Sequence, residues 1–129
     1  MIKTLNKILY VEDSPFIRKV TQIALETVGG FTLKVCEHGE EALEVGPIFD
    51  PDLILLDVMM PGMDGPTTLA ALRRVPSMKD TPVIFMTGKV QPEEIQSYRD
   101  LGALDVIAKP FDSVKLADLV RSIWARAEG

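Results

Sequence analysis

Apolar residues along this chain fall into short blocks separated by segments with helical spacing. Ile8-Leu9-Tyr10-Val11 is one such block and ends in Glu12-Asp13. Phe31 to Cys36, Leu53 to Asp57, Pro82 to Thr87 and Ala103 to Ala108 are the others. The Leu53-Ile54-Leu55-Leu56 run is continuous rather than alternating, too short for a good helix, and preceded by Pro51 and Asp52. That pattern predicts a strand buried on both faces of a parallel sheet.

Between the blocks, Ser14 stands as an N-cap with Pro15 at the first helical position. Ile17, Val20, Ile23, Ala24 and Val28 are then spaced to face a sheet, until Gly29-Gly30 stops the helix. A short helix is expected from Glu40 to Val45, with Ala42 and Leu43 inward and Gly46-Pro47 breaking it. Pro66 opens a third helix with Leu69 and Leu72 at i, i+3, ended by Pro76. Pro92 opens a fourth, through about Leu101, in which Ile95, Tyr98 and Leu101 alone are apolar. Asp112 or Ser113 caps the last helix, which carries Leu116, Leu119, Val120, Ile123 and Trp124. Strands and helices alternate five times, which predicts an α/β fold with a parallel sheet covered on both faces. One domain is expected over residues 1–129, without repeat or linker.

In open α/β sheets, ligands bind outside the carboxyl ends of the strands. The residues reaching that edge here are Glu12 and Asp13, Asp57, Thr87, and Lys109. Three acidic groups brought together repel by roughly 4 kcal/mol per pair at 4 Å and an effective dielectric near 20. Lys109 could relieve this, as could a divalent cation. An all-oxygen site suits Mg²⁺ better than zinc, and His38 and Cys36 are the single histidine and cysteine. A buried salt-bridge cluster without metal is the alternative; it accounts for Lys109 and leaves Glu12 and Asp13 with no role beyond strand-end charge. A carboxylate facing a cation and a lysine is also a competent nucleophile toward phosphorus. Thr87 and backbone N–H groups in the turns after Asp57 and Thr87 could bind the transferring oxygens.

Composition narrows the classes further. The chain has 129 residues, is 47% hydrophobic and 26% charged, and has a net charge of -5. These values fit a globular domain, and the scattered basic residues argue against direct nucleic-acid binding. No apolar run approaches the roughly 20 residues of a membrane span, and the N-terminus lacks the apolar core of a signal peptide. A lone Cys36 in a strand-like segment reads as a small buried hydrophobe, and a cytoplasmic setting is expected. His38 reads as a solvated loop residue, and Trp124 as a residue of the last helix with no site role.

Glu12-Asp13-Ser14, Leu55 to Gly65 (LLDVMMPGMDG), Met86-Thr87-Gly88 and Ala108-Lys109-Pro110-Phe111 together resemble the receiver domain of two-component response regulators. The resemblance runs from Lys7 to about Trp124. It implies a flavodoxin-like sandwich with strand order 2-1-3-4-5. It also implies that Asp57 accepts a phosphoryl group from a sensor histidine kinase or histidine phosphotransfer protein. Mg²⁺, with Mn²⁺ as a substitute, would be bound by the side chains of Asp13 and Asp57, the backbone carbonyl of Met59, and Glu12 through water. Lys109 and Thr87 would contact the phosphoryl group, and the Lys109-Pro110 bond would be cis. The downstream partner would be a target protein or an output domain, and a stand-alone protein and one domain of a longer chain are both compatible with the sequence.

One position departs from the family pattern. Receivers often carry a Tyr or Phe on the fifth strand that changes rotamer with the threonine, and Val106 stands there instead. Met59 and Lys89, each two residues after a site residue, occupy positions that tune the rate of acyl-phosphate hydrolysis in the family. A haloacid-dehalogenase-type enzyme needs a second Asp where Met59 stands, and a flavodoxin needs a phosphate-cradling loop where Glu12-Asp13 would repel phosphate. A pseudo-receiver, a binding module with a silent site, remains as the competing reading, although every acid and the lysine are present.

Overall fold

The computed structural model describes residues 4–128. A five-stranded sheet runs in the order β2-β1-β3-β4-β5, every neighbouring pair parallel. The strands are β1 (Lys7–Val11), β2 (Thr32–Cys36), β3 (Leu53–Asp57), β4 (Val83–Thr87) and β5 (Asp105–Ala108). The helices are α1 (Pro15–Gln22), α2 (Gly39–Phe49), α3 (Gly65–Leu72), α4 (Pro92–Asp100) and α5 (Leu116–Glu128). This is the flavodoxin-like order that the resemblance implied.

The continuous apolar run of β3 has a simple cause. Leu53 and Leu55 join the core under α1 and α5, with Ile8, Tyr10, Leu25, Val120 and Ile123. Ile54 and Leu56 point the other way, into the core under α2, α3 and α4 with Leu9, Ala42, Leu69, Leu72 and Phe85. Both faces are covered, so the strand has no polar side. Truncating Leu55, which is fully buried, would cost about 2–5 kcal/mol. Trp124 belongs to the α1/α5 core and packs there.

Several expectations about helices are corrected. Gly46-Pro47 does not break α2, which continues to Phe49. Pro47 forfeits only its own N–H, and the helix stops soon after at Asp50, left-handed at φ 53° with its N–H donating to the Gly46 carbonyl at 2.8 Å. Gly46 is small for packing: a Cβ there would lie 2.8 Å from Met78 Sδ. The second correction concerns the helix after β1. Ile23 and Val28, expected to face the sheet, are exposed, whereas Ala24 is buried as expected and Thr21 and Leu25 are buried with it. The backbone widens into a π-helical segment, Ile23–Val28, with the Gly29 N–H reaching back to the Ala24 carbonyl at 3.0 Å. That extra residue per turn rotates the inward face away from the spacing of an α-helix. Leu101, placed on the apolar side of α4, and Leu119, placed on that of α5, are also exposed.

At the start of α1 the capping agrees with the sequence. Ser14 Oγ accepts from the Ile17 N–H, and Asp64 Oδ1 from the Thr67 N–H. Asp112 and Ser113, one of which was expected to cap the last helix, precede it: Asp112 accepts from the Val114 N–H in a turn, and α5 begins only at Leu116. His38 is exposed, as a loop residue should be, and it also caps α2 through Nδ1, which accepts from the Glu41 N–H at 3.1 Å.

Candidate functional site

Parallel pairing delivers the ends of β1, β3, β4 and β5 to one edge. Glu12 follows β1, with its N–H donating to the Cys36 carbonyl at 3.1 Å, so the β1 end is tied to β2. Asp57 closes β3 opposite Met86, and Thr87 closes β4 opposite Ala108. Lys109 follows β5, its N–H donating to the Thr87 carbonyl at 2.9 Å. The Lys109-Pro110 peptide is cis, as the resemblance implied.

Lys109 reaches across this edge. Its Nζ lies 2.5 Å from Asp57 Oδ1 and 3.1 Å from Glu12 Oε1. Glu12 and Asp57 are each 1% exposed, so neither carboxylate is solvated. Glu12 Oε2 accepts from the Ser14 N–H at 3.2 Å. Tyr10, buried on β1, donates its O–H to Glu12 Oε1 or Thr21 Oγ1, at 3.4 and 3.1 Å. Asp57 Oδ2 is buried and has no hydrogen-bond partner among the described residues. Glu12, Asp13 and Asp57 each offer a carboxylate oxygen within 4.8 Å of the others, an arrangement that could hold a metal ion. The orphaned Oδ2 supports that fit, because a buried carboxylate oxygen left unpaired is costly and a hard cation would satisfy it.

Electrostatics carry the same message. Burial, then the charge of Asp57, pushes the Glu12 carboxyl up to about 7. Burial also raises Asp57, and the hydrogen bond and charge of Lys109 only partly offset this. For Lys109, burial works against the charge, but its hydrogen bond to Asp57 and the field of Glu12 outweigh it and hold the amine above its ordinary value. One lysine is therefore not enough positive charge for the cluster. Cys36, buried beside this edge, is an inert thiol pushed up to about 12, chiefly by burial.

The loops around the site have their own local reasons. After β3 the chain folds back so closely that a Cβ on Gly65 would lie 2.6 Å from the Asp57 carbonyl oxygen. Met59 is exposed on that loop. Thr87 is buried, and its Oγ1 accepts from the Lys89 N–H at 3.1 Å, which ties the β4–α4 loop to the strand end. Lys89 itself is exposed. Val106, on β5 opposite Phe85, is half-buried in the core under α4 with Tyr98.

Sequence reasoning missed Arg18, Tyr10 and Thr21. Tyr10 carried a weak signal, a phenol inside a buried strand whose O–H must find a partner. Arg18 carried none, since a basic residue on an exposed-looking helix turn is ordinary.

With this geometry in view, the likenesses to known proteins are specific. Residues 8–121 match the family model described as the response regulator receiver domain. The transcriptional activator IrlR of Burkholderia pseudomallei is 41% identical over 122 residues, covering 95% of this chain and 52% of the relative. The transcriptional regulatory protein CseB of Streptomyces avermitilis is 35% identical over 119 residues, covering 92% and 49%. The chemotaxis response regulator CheY4 of Vibrio cholerae superposes with a TM-score of 0.84 at 31% identity, over 93% of this chain and 99% of that one. The five-stranded parallel fold and the match over residues 8–121 place the chain in the class of signalling receiver domains. The chain belongs to the response regulator receiver family of two-component systems. It spans about half the length of the transcriptional regulators it matches. Among the described residues, no helix is long and apolar enough to cross a membrane.

Proposed function

We propose that Asp57 is the phosphoacceptor, and that a sensor histidine kinase, a histidine phosphotransfer protein or a small phosphodonor supplies the phosphoryl group. The observation that carries this reading is the Asp57 carboxylate itself: buried, held on one oxygen by Lys109, and unpartnered on the other. Mg²⁺ is the group that Asp13, Asp57 and, through water, Glu12 would hold there, the Met59 carbonyl adding an oxygen; bound, it would cancel the repulsion among the acids and the charge on the transferring oxygens. The Asp57 carboxylate then forms a P–O bond as the donor's P–N bond to histidine breaks, the electron pair staying on the imidazole. Lys109 neutralises a phosphoryl oxygen, and the Thr87 hydroxyl donates to another. Phe16, Ile17, Val20, Pro110 and Phe111 line an apolar surface beside Lys109, which a protein donor would cover on reaching Asp57. Met59 and Lys89 flank the approach of water and so tune hydrolysis of the acyl phosphate.

A silent pseudo-receiver is disfavoured by the complete set of three acids and a lysine at bonding distance. Incubation with acetyl phosphate and Mg²⁺ should add one phosphoryl mass, and Asp57→Asn or chelation of the metal should prevent it. Equal labelling of the Asn variant would sink the assignment. Downstream, the phosphorylated domain would act on a target protein or an output domain through a change in its surface.

A further inference from the structure

Arg18 lies outside the acidic cluster, yet it grips the backbone of both acids that follow β1. Its Nη1 donates to the carbonyl oxygens of Glu12 and Asp13, each at 2.9 Å. Its Nη2 reaches Glu37 Oε1 at 3.1 Å, just past the end of β2. The Arg18 side chain is 16% exposed, whereas the Glu37 side chain is 65% exposed, so the two carbonyl contacts are the sheltered part of the fork. Two consecutive carbonyls held on one guanidinium fix the peptide between them, and with it the directions in which the Glu12 and Asp13 side chains leave the backbone. Glu12 has further ties through Ser14, Tyr10 and Lys109. For Asp13, half-buried at the start of the loop, the hold is on the backbone.

We propose that Arg18 is a positioning residue for the cation site: by fixing the carbonyls of Glu12 and Asp13 it presents both carboxylates to the space beside Asp57. The inference rests on the reading of that cluster as the Mg²⁺ site of a phosphoacceptor. It sets two effects of the same side chain against each other. As a charge, Arg18 repels an incoming cation, and its removal should tighten binding. As a fork, it preorganises two of the ligands, and its removal should loosen binding, typically by tenfold or more for a group that orients ligands. A lysine keeps the charge, but its stem is one bond shorter than the path to Nη1, which donates to both carbonyls, and it has no second nitrogen for Glu37, so it separates the two effects.

The test is a calorimetric Mg²⁺ titration of the whole chain and of Arg18→Met and Arg18→Lys, with thermal melts in chelator alongside. Arg18→Lys is expected to bind Mg²⁺ about tenfold more weakly than the wild type, and Arg18→Met more weakly too but by less, because loss of the charge offsets part of the lost positioning. Labelling by acetyl phosphate should need correspondingly more Mg²⁺ and approach the wild-type rate at saturation, because Asp57 and Lys109 are untouched. Glu37→Gln, at the exposed end of the fork, should titrate like the wild type. Tighter binding in Arg18→Met with unchanged binding in Arg18→Lys would show a charge effect alone and overturn the proposal. A lowered melting temperature with wild-type Mg²⁺ affinity would show a merely structural contact and overturn it equally. If Arg18→Met does not fold, Arg18→Lys decides. Failure of the wild type itself to bind Mg²⁺ or become labelled would instead remove the underlying reading, which these variants do not test.

Discussion

Glu12, Asp57 and Thr87 are each 1% exposed at the strand ends, and every one is tied to a second element by a hydrogen bond or ion pair. Helix α4 begins close by and has no buried residue at all. Its sheet contacts are concentrated in its C-terminal half: the Tyr98 ring meets Phe85 with centroids 5.2 Å apart, and Arg99 pairs with Asp105 at 2.8 Å. Its first turn follows Gln91, which makes no side-chain cap. One edge of the sheet therefore carries a tightly determined charge cluster next to a loosely seated helix. A phosphoryl group on Asp57, as proposed, would enter the first region, which has little room to yield. The second is where a response costs least.

The largest expected effect breaks the rigid side of this contrast. Lys109→Ala leaves Glu12 and Asp57 buried without a cation, and should destabilise the metal-free protein at pH 8 by about 4 kcal/mol. The loss should shrink at pH 5, where Glu12 takes up a proton. Mg²⁺ should bind this variant at least as tightly as the wild type, because a competing positive charge is gone, and should restore much of the stability. Urea melts with and without Mg²⁺ check both statements; loss of Mg²⁺ binding would mean that Lys109 builds the cation site rather than competing with it.

A second effect, about as large, needs no mutation. The Glu12 carboxyl shifts from 4.5 to about 7 on folding, because of burial and then the charge of Asp57. A raised carboxyl means that the folded state binds the proton more tightly than the unfolded chain does. Stability from this group is therefore present at low pH and lost as pH rises from about 4.5 to 7, on the order of 3 kcal/mol in all. Asp57 is raised too and adds in the same direction. The metal-free protein should thus lose stability from pH 5 to pH 8, and saturating Mg²⁺ should flatten the slope. Melts across that range with chelator and with Mg²⁺ provide the measurement. A slope of opposite sign would show the cluster to be better compensated than its burial implies.

The two regions were unequally legible in the sequence. The strands announced themselves as apolar blocks, and the residues at their ends could be read as one site because parallel topology sends every carboxyl end to the same edge. Glu12, Asp13, Asp57, Thr87 and Lys109 all arrive there. Arg18 was invisible, because its role depends on a carbonyl geometry that no residue pattern encodes. The inward face of the helix after β1 was misjudged for a related reason. Apolar spacing presumes the α-helical period, and the π-helical segment from Ile23 to Val28 changes it. Gly46-Pro47 looked like a break because the sequence does not reveal that Met78 needs the space a side chain at Gly46 would fill.

On the loose side, Tyr98→Ala should remove the main apolar contact of α4 and cost about 2 kcal/mol, since the ring is half-buried and paired with Phe85. Amide exchange should quicken from Pro92 to Leu101 while the strand ends keep their protection. Unchanged exchange across α4 would mean that Arg99 and the backbone hold the helix without the ring.

The smallest expected effect is the one that bears on signalling. Thr87 Oγ1 accepts from the Lys89 N–H, so turning the Thr87 hydroxyl toward a phosphoryl group on Asp57 pulls on the loop that leads into α4. Val106, opposite Phe85 on β5, is too small and too stiff at χ1 to pass this motion across the sheet as a rotating ring would. The Phe85–Tyr98 contact lies on the same face of the sheet and joins β4 directly to α4. The motion should therefore run from Thr87 through the loop into α4. Hydrogen exchange with and without beryllofluoride as the phosphoryl mimic should show changes of a few-fold between Thr87 and Leu101, equivalent to less than about 1 kcal/mol, and little change at Val106. A change confined to β5, with α4 unaffected, would mean that Val106 takes part after all and that the looseness of α4 is not what the site exploits.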